Sequence, residues 1–182
     1  LQWLDEVLDA LDIPEESLPT IKPSMCNFGT NSEILKNVPI TAVLGDQQAS
    51  LFGHNCVSSG DIKNTYGTGC FALTNTGSQV VHSNNGLLST VAFQRDGEDP
   101  QYALEGSVSI AGAAVQWLRD NLNIIKSSSE VESLAMSVKD NGDVYFVPAF
   151  SGLFSPHWDE SARGVLVGLS RFSNKSHIAR AV

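Results

Sequence analysis

The spacing of hydrophobic residues along this chain predicts a mixture of helices and strands. The clearest helix covers residues 109–122, where apolar side chains recur every three or four positions and line one face. Other helices are predicted at residues 1–13, 47–52, 127–139 and 173–182. Short apolar or alternating runs predict strands at residues 39–44, 62–66, 70–74, 87–93, 102–104, 144–149 and 165–169.

The order of these elements indicates a mixed α/β architecture, because strands occur in clusters with helices after them. Neither the G-x-G-x-x-G pattern of dinucleotide-binding folds nor the G-x-x-x-x-G-K-[ST] phosphate loop is present. Turn composition at residues 57–61 predicts a domain border, with residues 1–56 in one domain and residues 57–182 in a second. Helical patterns run into both ends of the chain, so we expect a segment of a longer protein.

Composition narrows the classes of function. Of 182 residues, 42% are hydrophobic and 17% are charged, which is typical of a globular chain. The net charge of -9 argues against a nucleic-acid partner, since surfaces that bind nucleic acid are usually basic. No apolar run reaches the roughly 18 residues that a membrane span needs. The three cysteines, Cys26, Cys56 and Cys70, lack metal-ligand spacing and indicate reduced thiols in the cytoplasm.

Asp46 is the first candidate for chemistry. It follows the strand predicted at residues 39–44, and ligand sites of α/β sheets lie at the ends of such strands. A carboxylate there could accept the proton of a substrate hydroxyl that attacks phosphorus. The alternative is that Asp46 caps the short helix that begins at Gln47. Gln47 itself could orient a polyol hydroxyl, or it could be an ordinary exposed residue of the first turn.

Thr68 lies between Gly67 and Gly69, in the turn between two predicted strands. Two glycines remove Cβ bulk, so backbone N–H groups can approach a phosphate and the Thr68 hydroxyl adds a further donor. The same three residues could equally form a plain hairpin turn.

Gly112 and Gln116 lie four residues apart on the helix predicted at residues 109–122, one turn above the other. Glycine inside a helix costs about 1 kcal/mol relative to alanine, so its presence requires a reason. One reason is the close approach of a ligand, with Gln116 binding a ribose or base. The other is tight packing of the helix against a neighbouring element.

Taken together, these segments resemble the FGGY carbohydrate kinases, and the resemblance covers nearly the whole chain. It rests on a series of short motifs in order: Gly45-Asp46-Gln47-Gln48, Asn64-Thr65-Tyr66-Gly67-Thr68-Gly69-Cys70-Phe71, Asn85-Gly86-Leu87-Leu88, Ala111-Gly112-Ala113-Ala114-Val115-Gln116-Trp117, Pro148-Ala149-Phe150-Ser151-Gly152-Leu153 and Trp158-Asp159 through Gly168-Leu169. The resemblance implies an α/β, actin-like ATPase (ribonuclease H-like) fold, present here in part. It would comprise the end of the first domain and the first half of the second.

The resemblance also implies an activity and roles for residues. The activity is transfer of the γ-phosphoryl group from ATP, with Mg²⁺, to glycerol. The family's catalytic base corresponds to Asp46, and its glycerol contacts correspond to Asp46, Gln47 and Phe71. Its nucleotide contacts correspond to Thr68, Gly112 and Gln116, and no residue of this chain is implied as a metal ligand. From its sequence context alone, Phe71 would be interpreted as a core residue.

The family's Asp-Gly-x-Thr phosphate loop and its later Gly-Gly turn do not occur in this sequence. We therefore expect the isolated chain to be inactive, and we expect glycerol, ATP and further copies of the protein as partners of the whole enzyme. Three other interpretations stay open. The chain could belong to a family member that acts on a pentulose or gluconate, to a non-catalytic module that keeps the fold, or to an actin-like ATPase without a sugar substrate.

Overall fold

The computed structural model describes residues 1–31 and 33–182 as a mixture of helices and strands, which confirms the predicted α/β class. A short 3-10 turn at Glu15–Ser17 follows the first helix. The α-helices of the described residues are α1 (Asp5–Leu11), α2 (Asp46–Gly53), α3 (Gly112–Asp120), α4 (Glu130–Met136) and α5 (Lys175–Ala181). The strands are β1 (Ile62–Tyr66), β2 (Cys70–Gly77), β3 (Leu88–Phe93), β4 (Gln101–Val108), β5 (Tyr145–Val147) and β6 (Val165–Val167).

Strands β1 to β4 form one antiparallel sheet in the order β1-β2-β4-β3. β1 and β2 form a hairpin closed by the pair Tyr66 and Cys70, so the turn at residues 67–69 lies at its tip. Cys70 also pairs with Val108, the last residue of β4. The hairpin turn and the start of α3 therefore lie at the same end of the sheet.

Helix α2 packs across one face of this sheet. Leu51 of α2 and Leu73 of β2 are both fully buried, and they share a hydrophobic cluster with residues of β3 and β4. Phe52 of α2 makes an edge-to-face contact with Phe93, with ring centroids 5.2 Å apart. This cluster connects residues on both sides of the domain border that the sequence predicts near residue 57.

A second cluster holds the C-terminal half together. Leu118 of α3, Ile125 and Ala179 of α5 are buried in its centre. Trp117 of α3 stacks on Phe146 of β5 with ring centroids 5.4 Å apart, which ties the helix to the two-stranded β5-β6 ribbon. The amphipathic stripe predicted for residues 109–122 therefore faces a core, as expected.

The strand predicted at residues 39–44 is wrong. That segment makes only isolated bridges, from Pro39 to Thr30 and from Ala42 to Met25. Residues 39–43 are exposed. A run of apolar residues becomes a strand only where a neighbouring strand pairs with it, and the described residues supply single bridges instead of a ladder. Asp46 thus follows an extended segment and not a buried strand.

Other boundaries differ by a few residues. α3 begins at Gly112 because β4 continues to Val108, where it pairs with Cys70, and the connection to the helix takes up the residues between. β4 is longer than predicted for the same reason, since its second half pairs with β2. α4 is shorter than predicted, and α5 begins after Asn174, whose side chain accepts a hydrogen bond from the Ser176 backbone N–H.

Among residues 1–31 and 33–182, no helix combines the length and the apolar character that crossing a membrane requires.

Candidate functional site

The turn of the β1-β2 hairpin docks directly on the first residues of α3. The carbonyl oxygen of Thr68 accepts hydrogen bonds from the backbone N–H groups of Ala111 at 2.7 Å and Ala113 at 3.2 Å. The carbonyl of Gly67 accepts one from the N–H of Gly112 at 2.9 Å. These bonds satisfy N–H groups that a helix leaves unpaired at its start. They also bring two of the predicted nucleotide-binding residues, Thr68 and Gly112, to one place.

The two glycines at this junction are required by the packing. A Cβ atom on Gly112 would lie 2.6 Å from the carbonyl oxygen of Gly67, and one on Gly69 would lie 2.9 Å from the carbonyl oxygen of Ser109. Both distances are shorter than ordinary van der Waals contact. Gly112 thus allows the hairpin turn to approach α3 closely. This is tight packing against a neighbouring element, one of the two reasons for a helix glycine considered above.

Thr68 and Gln116 are both exposed at this junction. Gln116 lies one helical turn after Gly112, so the two occupy the same side of α3. An exposed hydroxyl and an exposed amide beside a backbone turn offer hydrogen-bond partners to a phosphate and a ribose or base. Their use by a nucleotide stays a prediction.

The second group of candidate residues lies at the start of α2. Asp46 is the first helical residue and is exposed, while Gly45 occupies the N-cap position without a side-chain cap. The Oδ1 atom of Asp46 accepts a hydrogen bond from the N–H of Gln47 at 2.8 Å. Asp46 is therefore the first residue of α2 and not its N-cap, and its carboxylate binds the N–H of the following residue.

Lys63 of β1 connects Gln47 to the sheet, and this role was not predicted from the sequence. Its side chain is only 5% exposed. Its Nζ donates hydrogen bonds to Oε1 of Gln47, to Oγ1 of Thr65 at 2.9 Å and to the carbonyl of Phe71 at 3.2 Å. Nothing in the pattern of β1 distinguishes a buried lysine from a solvated one, because its burial depends on where α2 packs.

The electrostatics of Lys63 reflect both burial and nearby carboxylates. Burial lowers the pKa of the Lys63 ammonium, and the negative charges of Glu105 and Asp46 offset part of that effect by raising it. Glu105 pairs with Leu73 in the sheet register, and Leu73 pairs with Lys63, so the two charged side chains lie on the same face. That face is the one covered by α2.

Phe71 lies next to this lysine on β2. It is half-buried and packs against the hydrophobic cluster centred on Leu51 and Leu73. Its position agrees with the interpretation as a core residue that the sequence alone supports. Because part of the ring remains exposed, it can also contact the carbon skeleton of a small polyol, and that role stays a prediction.

The hairpin therefore joins two groups of candidate residues. Gln47, Lys63 and Phe71 form one group, linked by hydrogen bonds of the Lys63 ammonium. Thr68, Gly112 and Gln116 form the other, at the hairpin tip. Tyr66, the last residue of β1, follows Lys63 by three residues. The two groups are therefore separated by about 10 Å along the strand. The orientation of the Asp46 carboxylate and the Thr68 hydroxyl toward one cleft stays a prediction.

In the part of the chain that the structure describes, no group of three or more histidine, cysteine, aspartate or glutamate residues could hold a metal ion. All three cysteines are free.

The chain is similar to known carbohydrate kinases in sequence and in fold. Residues 62–182 match the model of the FGGY family of carbohydrate kinases, C-terminal domain. The glycerol kinase of Brucella anthropi is 59% identical over 182 residues, which are 100% of this chain and 36% of that protein.

Two solved structures are similar over the whole chain. The crystal structure of Plasmodium falciparum glycerol kinase with ADP is 41% identical with a TM-score of 0.84, and 37% of that chain is covered. The ligand-bound structure of xylulose kinase from Lactobacillus acidophilus is 26% identical with a TM-score of 0.79, and 38% of that chain is covered.

Proposed function

The chain belongs to the FGGY family of carbohydrate kinases, and we propose that it carries part of the active site of a glycerol kinase. The reaction would transfer the γ-phosphoryl group of ATP to glycerol and give sn-glycerol 3-phosphate and ADP. The observation that supports this most is the hairpin itself, which connects the candidate glycerol residues to the candidate nucleotide residues. The actin-like ATPase fold expected from the sequence is confirmed by the likeness to solved members of the family.

The chain spans 36% of the length of the curated glycerol kinases that it matches. The glycerol kinase activity of the complete protein is therefore proposed. We also propose that residues 1–56 belong to the first domain of such an enzyme and residues 57–182 to the second. The start of the family match at residue 62 supports this division.

In the proposed reaction Asp46 acts as general base. Its carboxylate accepts the proton of a glycerol hydroxyl while the hydroxyl oxygen forms a bond to the γ-phosphorus, and the bond from that phosphorus to the ADP oxygen breaks. The exposed position of Asp46 at the start of α2 gives a substrate access to it. Gln47 and Phe71 would hold the glycerol, through a hydrogen bond and an apolar contact respectively.

On the nucleotide side, the Thr68 hydroxyl would donate to a phosphate oxygen of ATP. Hydrogen bonds that are already positioned before the reaction contribute much of the catalysis in phosphoryl transfer. The turn that bears Thr68 is held by three backbone hydrogen bonds to the start of α3, so its hydroxyl is presented by a fixed backbone. Gly112 and Gln116 would contact the nucleotide along the same side of the helix.

Mg²⁺ would accompany ATP as the second cofactor and neutralise charge on its phosphates. Phosphate oxygens, water and groups outside this chain would supply most of its coordination. We also propose that the enzyme is cytoplasmic and forms a homo-oligomer.

A related sugar kinase is the second candidate, since the chain is 26% identical to a xylulose kinase and to a gluconate kinase of the same fold. The test is a panel of glycerol, xylulose and gluconate with the complete protein, measured by release of ADP in a coupled assay. The glycerol kinase proposal expects the highest kcat/KM with glycerol. A preference for xylulose or gluconate would favour the second candidate, and no ADP release with any of them would favour a non-catalytic module.

A further inference from the structure

Lys63 is a buried cation whose three N–H groups all have acceptors. An ammonium carries three donors and no acceptor. The three acceptors are Oε1 of Gln47, Oγ1 of Thr65 and the carbonyl oxygen of Phe71. Two of these partners belong to the sheet, on β1 and β2, so the strands fix the position of the ammonium. The third belongs to α2 and is a predicted substrate contact.

This arrangement determines which way the Gln47 side-chain amide is turned. A glutamine amide has an oxygen that accepts and an NH₂ group that donates, and rotation by half a turn exchanges them. With its oxygen on Lys63, Gln47 directs its Nε2 group away from the ammonium. The exchanged orientation would place two N–H donors against a buried ammonium and leave a donor without an acceptor, which is costly in a buried site.

We propose that Lys63 is a positioning residue for the substrate, holding Gln47 so that its Nε2 group donates a hydrogen bond to an oxygen of the bound polyol. This inference rests on the proposed function and deepens it, because it assigns the donor and the acceptor in one substrate contact. The hydrogen bond from Lys63 to the Phe71 carbonyl fixes the second predicted substrate contact relative to the first.

Nearby charges make a lysine tolerable at this position. The carboxylates of Glu105 on β4 and Asp46 on α2 both attract the ammonium, although burial has the larger effect on it. The Lys63 ammonium is held in one place, because each of its donors has an acceptor and carboxylates lie nearby. A fixed ammonium can orient the side chain of Gln47.

The experiment is a double-mutant cycle in the complete kinase, with the substitutions Lys63→Met and Gln47→Ala. Lys63→Met alone should raise KM for glycerol by roughly 10- to 100-fold, the range expected for loss of a hydrogen bond within a charged network. KM for ATP should change by no more than about twofold. In the Gln47→Ala background, Lys63→Met should raise KM for glycerol by no more than about twofold, because both substitutions remove the same contact.

Two further variants make the test specific. Gln47→Glu keeps an oxygen for Lys63 but removes the NH₂ group, so KM for glycerol should rise as much as in Gln47→Ala. If Lys63→Met does not fold, this variant can still overturn the proposal, because the proposal requires the Nε2 group of Gln47. Lys126→Met, at an exposed lysine, is the matched control and should leave both KM values unchanged.

Effects of Lys63→Met and Gln47→Ala on KM for glycerol that multiply in the double variant would overturn the proposal, since Lys63 would then affect glycerol binding independently of Gln47. A wild-type KM for glycerol in Gln47→Glu would overturn it as well. If the wild-type protein phosphorylates another polyol and not glycerol, the proposed function fails. The same cycle with that polyol then supports or overturns the positioning role separately.

Discussion

The carbonyl oxygen of Gly67 accepts a hydrogen bond from the N–H of Gly112 at 2.9 Å, and it would lie 2.6 Å from a Cβ atom at position 112. The same oxygen therefore binds the helix and excludes any larger side chain from its first position. This contact connects the hairpin tip to α3 although the two are 45 residues apart in the sequence. The position of the Thr68 hydroxyl depends on it.

Substitution of Gly112 by alanine should separate the hairpin turn from α3. The new methyl group would overlap the Gly67 carbonyl oxygen, and a backbone carbonyl cannot move aside as a flexible side chain can. We expect a loss of about 1–3 kcal/mol in the free energy of unfolding. In the proposed kinase, KM for ATP should rise while KM for glycerol changes little. Urea unfolding and steady-state kinetics measure the two effects.

Gly53→Ala is the matched control for that substitution. Gly53 is the last residue of α2, and a Cβ atom there would have no neighbour within 4 Å. Alanine should therefore be neutral or stabilise the protein by up to about 1 kcal/mol, through helix propensity. Equal stability of the Gly112→Ala and Gly53→Ala variants would show that the contact with Gly67 does not restrict position 112.

Gln116→Ala tests the nucleotide contact without disturbing the core. Because Gln116 is exposed on α3, its truncation should change the free energy of unfolding by no more than about 0.5 kcal/mol. Loss of one hydrogen bond should raise KM for ATP roughly 3- to 10-fold and leave KM for glycerol as it is. Gln79→Ala, at another exposed glutamine, is the control. Unchanged KM for ATP in Gln116→Ala would remove this residue from the proposed site.

The lowered pKa of Lys63 predicts a dependence of stability on pH. Its pKa in the folded protein lies below the usual 10.5, since burial outweighs the attraction of Glu105 and Asp46. Between the lowered pKa and 10.5, the unfolded chain binds a proton that the folded chain has released. The free energy of unfolding should therefore rise with pH through that window, and Lys63 should contribute no slope below it.

The measurement is urea unfolding of the wild-type protein and the Lys63→Met variant across the alkaline range. The difference between the two curves isolates Lys63, because all other lysines titrate in both proteins. The wild-type protein should gain stability relative to the variant as pH approaches 10.5. A difference that stays constant with pH would contradict a lowered pKa.

The sequence predicted the hairpin and the helix of the site because both follow from local patterns. Two strand-like runs around Gly67-Thr68-Gly69 predict a hairpin without reference to the rest of the fold. The apolar stripe of α3 predicts which face of the helix is buried. The contact of the turn with Gly112 could be predicted only in part. A glycine inside a helix indicates that something approaches closely, but it does not show whether this is a ligand or a neighbouring element.

Features that depend on distant neighbours could not be predicted. The segment at residues 39–44 has the composition of a strand, but its state depends on whether another strand pairs with it. Lys63 lies between Ile62 and Asn64 on β1, and only the packing of α2 on the sheet reveals that it is buried. The relation between Lys63 and Gln47 therefore required the structure, because only Gln47 stands in a motif that the sequence singled out, and Lys63 precedes the next motif by one residue.

The substitution Asp46→Asn in the complete protein shows whether Asp46 acts as the base of the proposed reaction. Asparagine keeps an oxygen for the hydrogen bond from the Gln47 N–H, and position 46 is exposed, so the fold should be unaffected. An amide cannot accept the proton as a carboxylate does, and kcat should fall about 10²- to 10⁴-fold. The dissociation constant for ATP should change by no more than about twofold. A kcat near that of the wild-type enzyme would contradict the account.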